Sequence, residues 1–392
     1  MIGPGEPNAL NSGLGIAAQY IAEELGQQVS LTVIQPGANG GSKKMRSIDS
    51  SKFSETAVIR ELVKVNVRAS ISPYFYAYVN TPEEDAQPDS IVSEIKNELA
   101  SFTKQVVKAS QGVDFDVIYA HDWTAMPAGI EIKESSGKPL AVHIHSLDYD
   151  RNSSLNKSWI YTLEKEAFEK ADAVIGVSDY TSDIIRREYD ATPAKVHTVY
   201  NGLKLFPKPA SKNVFKEKLV LFVGRLSGQK GPDIFVEIAE KVLERYSKVR
   251  FVMAGEGDML ANLVQSAALK GIGDKFHFTG HIDAEKLGEL YSRATIYCMP
   301  SVSEPFGLSA IEAAAAGLPV VLSRQSGAAE ILSGSLSADH WDVDTFASHI
   351  VSLLKSDKKA TQMVKANRKD LSMLTWEHTA QDVVNLLNSL NA

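Results

Sequence analysis

Short apolar runs alternate with amphipathic stretches along nearly the whole chain, in two series separated by a segment rich in proline and lysine. In the first series, residues 29–34, 62–68, 116–120, 140–145, 173–177 and 196–200 read as strands. Residues 16–25, 91–110, 159–170 and 178–189 read as helices between them. The second series opens with the strand at 219–223 and continues through 249–254, 276–279 and 294–299. Helices at 233–245 and 285–292 separate these strands. Runs this apolar and this short suit parallel strands covered on both faces, each followed by a helix. Two such series predict an α/β chain of two Rossmann-like, doubly wound domains with a cleft between them. The boundaries fall at 1–203 and 204–375, with the segment at 203–218 as linker. The last stretch, 376–392, reads as an amphipathic helix.

The 392-residue length agrees with two cores. A net charge of −7 excludes a general nucleic-acid binder while leaving room for a local basic pocket. The single cysteine, Cys298, lies in an apolar run and rules out an intrachain disulfide or a cysteine-based metal site. No apolar stretch reaches the roughly 20 residues of a membrane span. No signal peptide is visible, so a cytoplasmic location is expected. The first strand is reduced to Met1 and Ile2 ahead of a Gly/Pro/Asn-rich loop ending in Ser12-Gly13-Leu14-Gly15. An aromatic patch at 73–78 reads as core cover or as a platform for sugar rings. The strand at 116–120 delivers His121-Asp122-Trp123 at its carboxyl end, where ligands of open parallel sheets bind. His143 and His145 share one face of the next strand.

The sharpest local signal is Met299-Pro300-Ser301-Val302-Ser303-Glu304-Pro305-Phe306-Gly307-Leu308-Ser309-Ala310-Ile311-Glu312. A buried strand runs into a tight loop and then a helix. That arrangement aims free backbone N–H groups, aided by the helix dipole, at an anion. Glu304 and Glu312 bracket the loop. Three Asp-x-Asp triplets, at 114–116, 148–150 and 342–344, raise the question of a metal. The first sits at the wrong end of its strand and the third opens a helix as a cap; the second, at Asp148 and Asp150 near His145, is the one not dismissed, and no metal site is expected.

The 299–312 stretch, with Pro319-Val320-Val321-Leu322-Ser323 and Ser326-Gly327 after it, resembles the donor-site motif of the retaining glycosyltransferases of family 4 and the glycogen and starch synthases. Gly224-Arg225-Leu226, Gln229-Lys230-Gly231 and Gly255-Glu256-Gly257-Asp258 resemble further loops of the same family, and the match covers nearly the whole chain. The resemblance implies the GT-B fold, with the C-terminal helix crossing back to the first domain. It also implies a nucleoside-diphosphate sugar as donor substrate, a carbohydrate acceptor and no cofactor. In such a site Arg225 and Lys230 meet the pyrophosphate, with Gly224 beside them. Gly307 and Leu308 offer amides to the distal phosphate, and Phe306 lies in the same loop. Glu312 takes the ribose diol and Glu304 faces the donor sugar. His145 supports the anomeric side, Gly255 and Gly257 form the base pocket, and Gly13 and Gly15 form a phosphate- or sugar-facing loop. Asp122, Ser326 and Gly327 are candidates for the acceptor or donor sugar. Bacterial glycogen-synthase-like members look most similar, so an α-glucan synthase using ADP- or UDP-glucose is the specific expectation. One departure is Asn11-Ser12-Gly13-Leu14, where dedicated bacterial glycogen synthases carry a lysine before Gly-Gly-Leu. Another family-4 transferase, a sugar-nucleotide 2-epimerase and a non-catalytic nucleotide-sugar binder are the alternatives.

Overall fold

The computed structural model describes residues 1–3, 13–37, 41–47, 60–68, 88–152, 157–203 and 217–391. The aromatic patch at 73–78 and most of the expected linker lie outside them. Two compact units result. One combines Met1–Tyr149, Lys157–Gly202 and Trp376–Ala392; the other takes Asp150–Asn156 and Leu203–Thr375.

The first unit starts with α1 (Gly13–Gln28), β1 (Leu31–Gly37), β2 (Gly41–Ser47), β3 (Arg60–Arg68) and α2 (Pro88–Ser110). It continues through β4 (Ile118–His121), α3 (Asp122–Ser136), β5 (Leu140–Ile144), the short α4 (Asp148–Arg151), whose last two residues count with the other unit, α5 (Trp159–Lys170), β6 (Ala173–Gly176), α6 (Asp179–Glu188) and β7 (Val196–Thr198). Strands β4 to β7 pair in order and in parallel, β1 pairs parallel to β3, and β2 pairs antiparallel to β3. The remnant of a first strand joins the two groups. Ile2 bridges Ile34 on one side and Ala120 on the other. Its N–H donates to the Tyr119 carbonyl at 2.7 Å, and its carbonyl accepts from His121 N at 3.0 Å. Ile2 therefore lies between β1 and β4 in the sheet. The sequence leaves residues 35–54 as loop, yet β2 lies there. Helix α1 begins at Gly13, earlier than the expected residue 16, because Leu14, Ala17 and Ala18 are all buried in the core. Ser178 caps α6 as expected, its side chain accepting from Thr181 N.

The second unit runs β8 (Lys218–Val223), α7 (Pro232–Leu243), β9 (Val249–Ala254), α8 (Leu260–Leu269), β10 (Phe276–Gly280), α9 (Ala284–Arg293) and β11 (Ile296–Met299). It then runs α10 (Leu308–Ala315), β12 (Val320–Ser323), α11 (Gly327–Ile331), β13 (Leu336–Ala338), α12 (Val343–Leu354) and α13 (Asp357–Leu371). Its sheet is wholly parallel, in the order β10-β9-β8-β11-β12-β13. Helix α7 shows why these segments fold as they do. Pro232 occupies its first turn, and Phe235, Val236, Ile238, Ala239 and Val242 recur at helical spacing and are buried against the sheet. Cys298 is buried in β11, and burial pushes its thiol pKa up.

The last helix, α14 (Trp376–Ser389), belongs to the first unit. Trp376, Ala380 and Val383 join Ala17, Ile21, Ala22 and Leu25 of α1 in one apolar cluster. Tyr20 and Trp376 stack at 5.2 Å between ring centroids. Both units are thus Rossmann-like, with parallel strands joined by helices. Among the described residues, no helix is long and apolar enough to cross a membrane.

Candidate active site

In the second unit the strand order reverses between β8 and β11, because the chain first builds outward from β8 to β10 and then returns to the other side. The loops leaving the carboxyl ends of those two neighbours flank the switch point, where ligands of such sheets bind. The β8 loop carries Gly224, Arg225 and Lys230; the β11 loop carries Glu304, Phe306 and Gly307. Val302 N donates to the Gln229 carbonyl at 2.9 Å and ties the two loops together.

Lys230 and Glu304 meet in this place. Nζ lies 2.5 Å from Oε2, with the lysine side chain 21% and the glutamate side chain 8% exposed. Ser301 Oγ is 3.5 Å from the same oxygen. The backbone of Glu304 is fixed on both sides. Its N–H donates to the Gln325 carbonyl at 2.9 Å, and its carbonyl accepts from Gly327 N at 3.0 Å. Ser326 caps α11 by accepting from Ala328 N. Of the two residues read from the sequence as sugar candidates, Gly327 thus holds the Glu304 backbone and Ser326 opens the helix beside it. Phe306 is buried at 4% exposure and anchors the loop.

Helix α10 starts from Gly307, whose φ of 90° is left-handed and suits glycine. The first amides after it, from Leu308 onward, have no carbonyl one turn back and are the natural seat of an anion. Further along α10, Glu312 Oε2 accepts from Tyr291 OH at 3.1 Å. Tyr291 is 1% exposed, and burial, reinforced by the Glu312 charge, holds its phenol protonated. A neutral donor thus orients the Glu312 carboxylate. Tyr291 escaped the sequence reading because it sits on α9, away from the motif.

Gly255 and Gly257 follow β9 and pack on the β8 loop. A Cβ on Gly255 would stand 1.9 Å from the Gly224 carbonyl oxygen, at a φ of +140°. Gly255→Ala is therefore expected to destabilise the second unit by about 3–5 kcal/mol, from overpacking plus backbone strain. Urea melts of the purified variant measure this, and a loss below about 1 kcal/mol would show that the β8 loop yields freely.

In the first unit, Gly13 and Gly15 lie in the first turn of α1 rather than in the expected loop, and Gly15 is buried there. Asp122 has a φ of 54°, unusual for a residue other than glycine, and is 1% exposed. Its Oδ1 accepts from His145 N at 2.7 Å and from Ser146 N at 3.4 Å. Asp122 thus clamps the backbone of His145, in keeping with the loop-positioning alternative to an acceptor contact. The register pairs His121 with His143 across β4 and β5. With His145 they form a buried stack that the sequence reading missed, since it needs the pairing of two strands far apart in sequence. His121 Nδ1 lies 3.0 Å from His145 Nε2, and His143 Nδ1 bonds to Tyr119 OH at 2.5 Å. Burial, then neighbouring imidazoles, lowers the pKa values of His121 and His143; burial lowers that of His145 to about 3. Of the aspartate triplets, Asp148 accepts from Ser158 Oγ at 2.7 Å and N, and Asp342 caps α12.

Two family models match, Glycosyltransferase Family 4 over residues 12–205 and Glycosyl transferases group 1 over residues 207–370. An uncharacterized glycosyltransferase of Methanocaldococcus jannaschii is 31% identical over 297 residues, covering 70% of this chain and 76% of that protein. The chain belongs to the glycosyltransferases of this family, and its fold is GT-B. A D-inositol 3-phosphate glycosyltransferase of Catenulispora acidiphila is 29% identical over 73% of this chain and 74% of that one. A glycogen synthase of Mycobacterium tuberculosis is 28% identical over 68% of this chain and 66% of its own. Among solved structures, a sucrose-phosphate synthase from Thermosynechococcus elongatus has a TM-score of 0.74 at 20% identity, covering 99% of this chain and 98% of that one.

Proposed function

We propose that the protein transfers a hexosyl group, glucose first among candidates, from a nucleoside-diphosphate sugar to a carbohydrate hydroxyl with retention at the anomeric carbon. The observation that carries this reading is the Lys230–Glu304 pair beside the first amides of α10 at the sheet's switch point. Cleaving the donor's anomeric C–O bond puts negative charge on the departing diphosphate. Arg225, Lys230 and the Gly307 and Leu308 amides are placed on the two loops that would receive it. No divalent cation is required by this scheme, because the protein brings its own positive charge. Glu304 would face the sugar, steered by the same lysine. The family resemblance assigns His145, kept neutral by burial, to the anomeric side. The bond formed is acceptor oxygen to anomeric carbon, and the products are the glycoside and the nucleoside diphosphate.

The relatives' names point to two acceptor classes, α-glucan and a phosphorylated polyol. An α-glucan remains the reading favoured here, on the resemblance of residues 251–255, 299–307 and 339–344 to glycogen-synthase-like chains. The test is a panel of ADP-, UDP- and GDP-sugars scored by nucleotide release, each with an α-glucan primer, inositol phosphate or no acceptor. Release that rises only with glucan supports the reading. Epimerised donor without transfer points to a 2-epimerase, and donor binding without any release would make the protein a binder.

Glu312→Ala is expected to raise the donor KM about 10–100-fold with kcat little changed, since charged hydrogen bonds to a ribose diol contribute about 1.5–3 kcal/mol. Steady-state kinetics at saturating acceptor measure it. An unchanged KM would remove Glu312 from the ribose.

A further inference from the structure

The stacked histidines of the first unit have a chemistry that sugar transfer does not use. His121, His143 and His145 come from the ends of two adjacent strands and are 0%, 0% and 8% exposed. Their ring centroids are 5.2, 4.6 and 5.3 Å apart. Three imidazoles on one tetrahedral ion, with metal–nitrogen bonds of about 2.0–2.1 Å, would place their centroids about 5.2 Å apart. One candidate ligand nitrogen from each ring lies within 4.8 Å of the others. Around such an ion the nitrogens stand about 3.4 Å apart, so a modest contraction closes the set. His121 Nδ1 and His145 Nε2 are already 3.0 Å apart.

Two further observations point to a missing ligand. The Nε2 atoms of His121 and His143 are buried and have no hydrogen-bond partner. Buried polar atoms are rarely left so, and an ion or water is the usual explanation. The Tyr119 hydroxyl meanwhile engages His143 Nδ1, so Nε2 is the nitrogen of that ring left for a metal. A hydrogen bond on the non-ligating ring nitrogen is the usual support for a metal-bound histidine.

We propose that His121, His143 and His145 form a site for a divalent transition metal of the zinc type, and that metal held there withdraws His145 from sugar transfer. Three imidazoles suit zinc, cobalt or nickel and offer nothing to magnesium or calcium, which want oxygen. The ion is inhibitory. It occupies the same side chain that transfer needs neutral and unligated, so a chelator leaves the enzyme's turnover intact or raises it. The second half of this proposal rests on the donor role given to His145 above; the first half does not.

The experiment uses the full-length protein, stripped with EDTA and desalted. Equilibrium dialysis against Zn2+ is followed by metal analysis, and Co2+ titration is followed by visible absorption. The expected result is about one Zn2+ per chain, a tetrahedral cobalt spectrum, no displacement by excess Mg2+, and at least tenfold weaker binding in both His121→Gln and His143→Gln. The wild-type protein alone can overturn the site: failure to hold zinc or to give the cobalt spectrum does so whether or not the variants fold. Undiminished binding in both variants overturns it too, by placing the metal on other histidines. The inhibition arm titrates Zn2+ into the nucleotide-release assay. Inhibition that follows zinc occupancy supports the second half. Full occupancy with unchanged transfer keeps the site and overturns the role of His145.

Discussion

Lys230→Ala is expected to lower kcat for nucleotide release about 10²–10³-fold, the usual cost of removing one group that stabilises developing negative charge. It also destabilises the second unit. Glu304 is left with its carboxylate 8% exposed and its cation gone, and the nearest remaining side-chain partner is Ser301 at 3.5 Å. Stranding one member of a buried pair costs about 3–5 kcal/mol. The two losses separate in the double variant Lys230→Ala/Glu304→Gln. A neutral amide no longer needs the lysine, so most of the stability returns while kcat stays low. Urea melts and single-turnover release measure both quantities. Turnover recovering together with stability would mean that Lys230 serves only the fold.

Acidification is expected to weaken the first unit. The His121, His143 and His145 imidazoles are held neutral in the fold, with pKa values below the usual 6.5 and that of His145 near 3. The unfolded chain binds more protons than the folded one between these limits. Their contribution is therefore complete above about pH 7 and falls as pH drops through 6.5 toward the folded values. Each histidine adds a slope of up to about 1.4 kcal/mol per pH unit, hence up to about 2 kcal/mol by pH 5. Tryptophan fluorescence reads this unit well. Trp123, Trp159 and Trp376 lie in it, and Trp341 of the other unit is 66% exposed. Urea midpoints, taken with chelator present, should fall steadily from pH 7 to 5. His143→Leu should make the fall shallower. A flat profile over that range would mean that the buried rings accept protons without unfolding.

The first four strands of the second unit were legible to within two residues because parallel strands covered on both faces, such as 218–223 and 249–254, are mostly apolar, whereas β12 and the three-residue β13 were not read as strands. By contrast, Gly41–Ser47 carries Ser, Lys and Arg and sits at the edge of its sheet, where pairing with β3 needs no apolar pattern. The donor-side loops were legible from Gly, Pro and charge at fixed spacing. Their partnership was not. Lys230 and Glu304 lie 74 positions apart, and only the adjacency of β8 and β11 brings them together. The same holds for His121 and His143, which become neighbours through the register of β4 and β5. Asp122 was read as an acceptor contact or as a residue that positions a loop, and the turn into α3 aims its Oδ1 at two backbone amides.

Helix α14 has a consequence for the order in which the protein can be made. The first unit needs both ends of the chain, since Trp376, Ala380 and Val383 complete the cluster begun by α1. On a ribosome adding about 5–20 residues per second, the stretch from 203 to 376 takes about 10–35 s. Throughout that interval Ala17, Ile21 and Leu25 are synthesised but lack their cover. The second unit, whose strands and helices all come from Leu203–Thr375 apart from the short segment Asp150–Asn156, can finish folding first, although most of it is encoded later. A nascent chain stalled before Trp376 would carry a folded C-terminal unit and a sticky N-terminal one, which is the form a chaperone would be expected to hold.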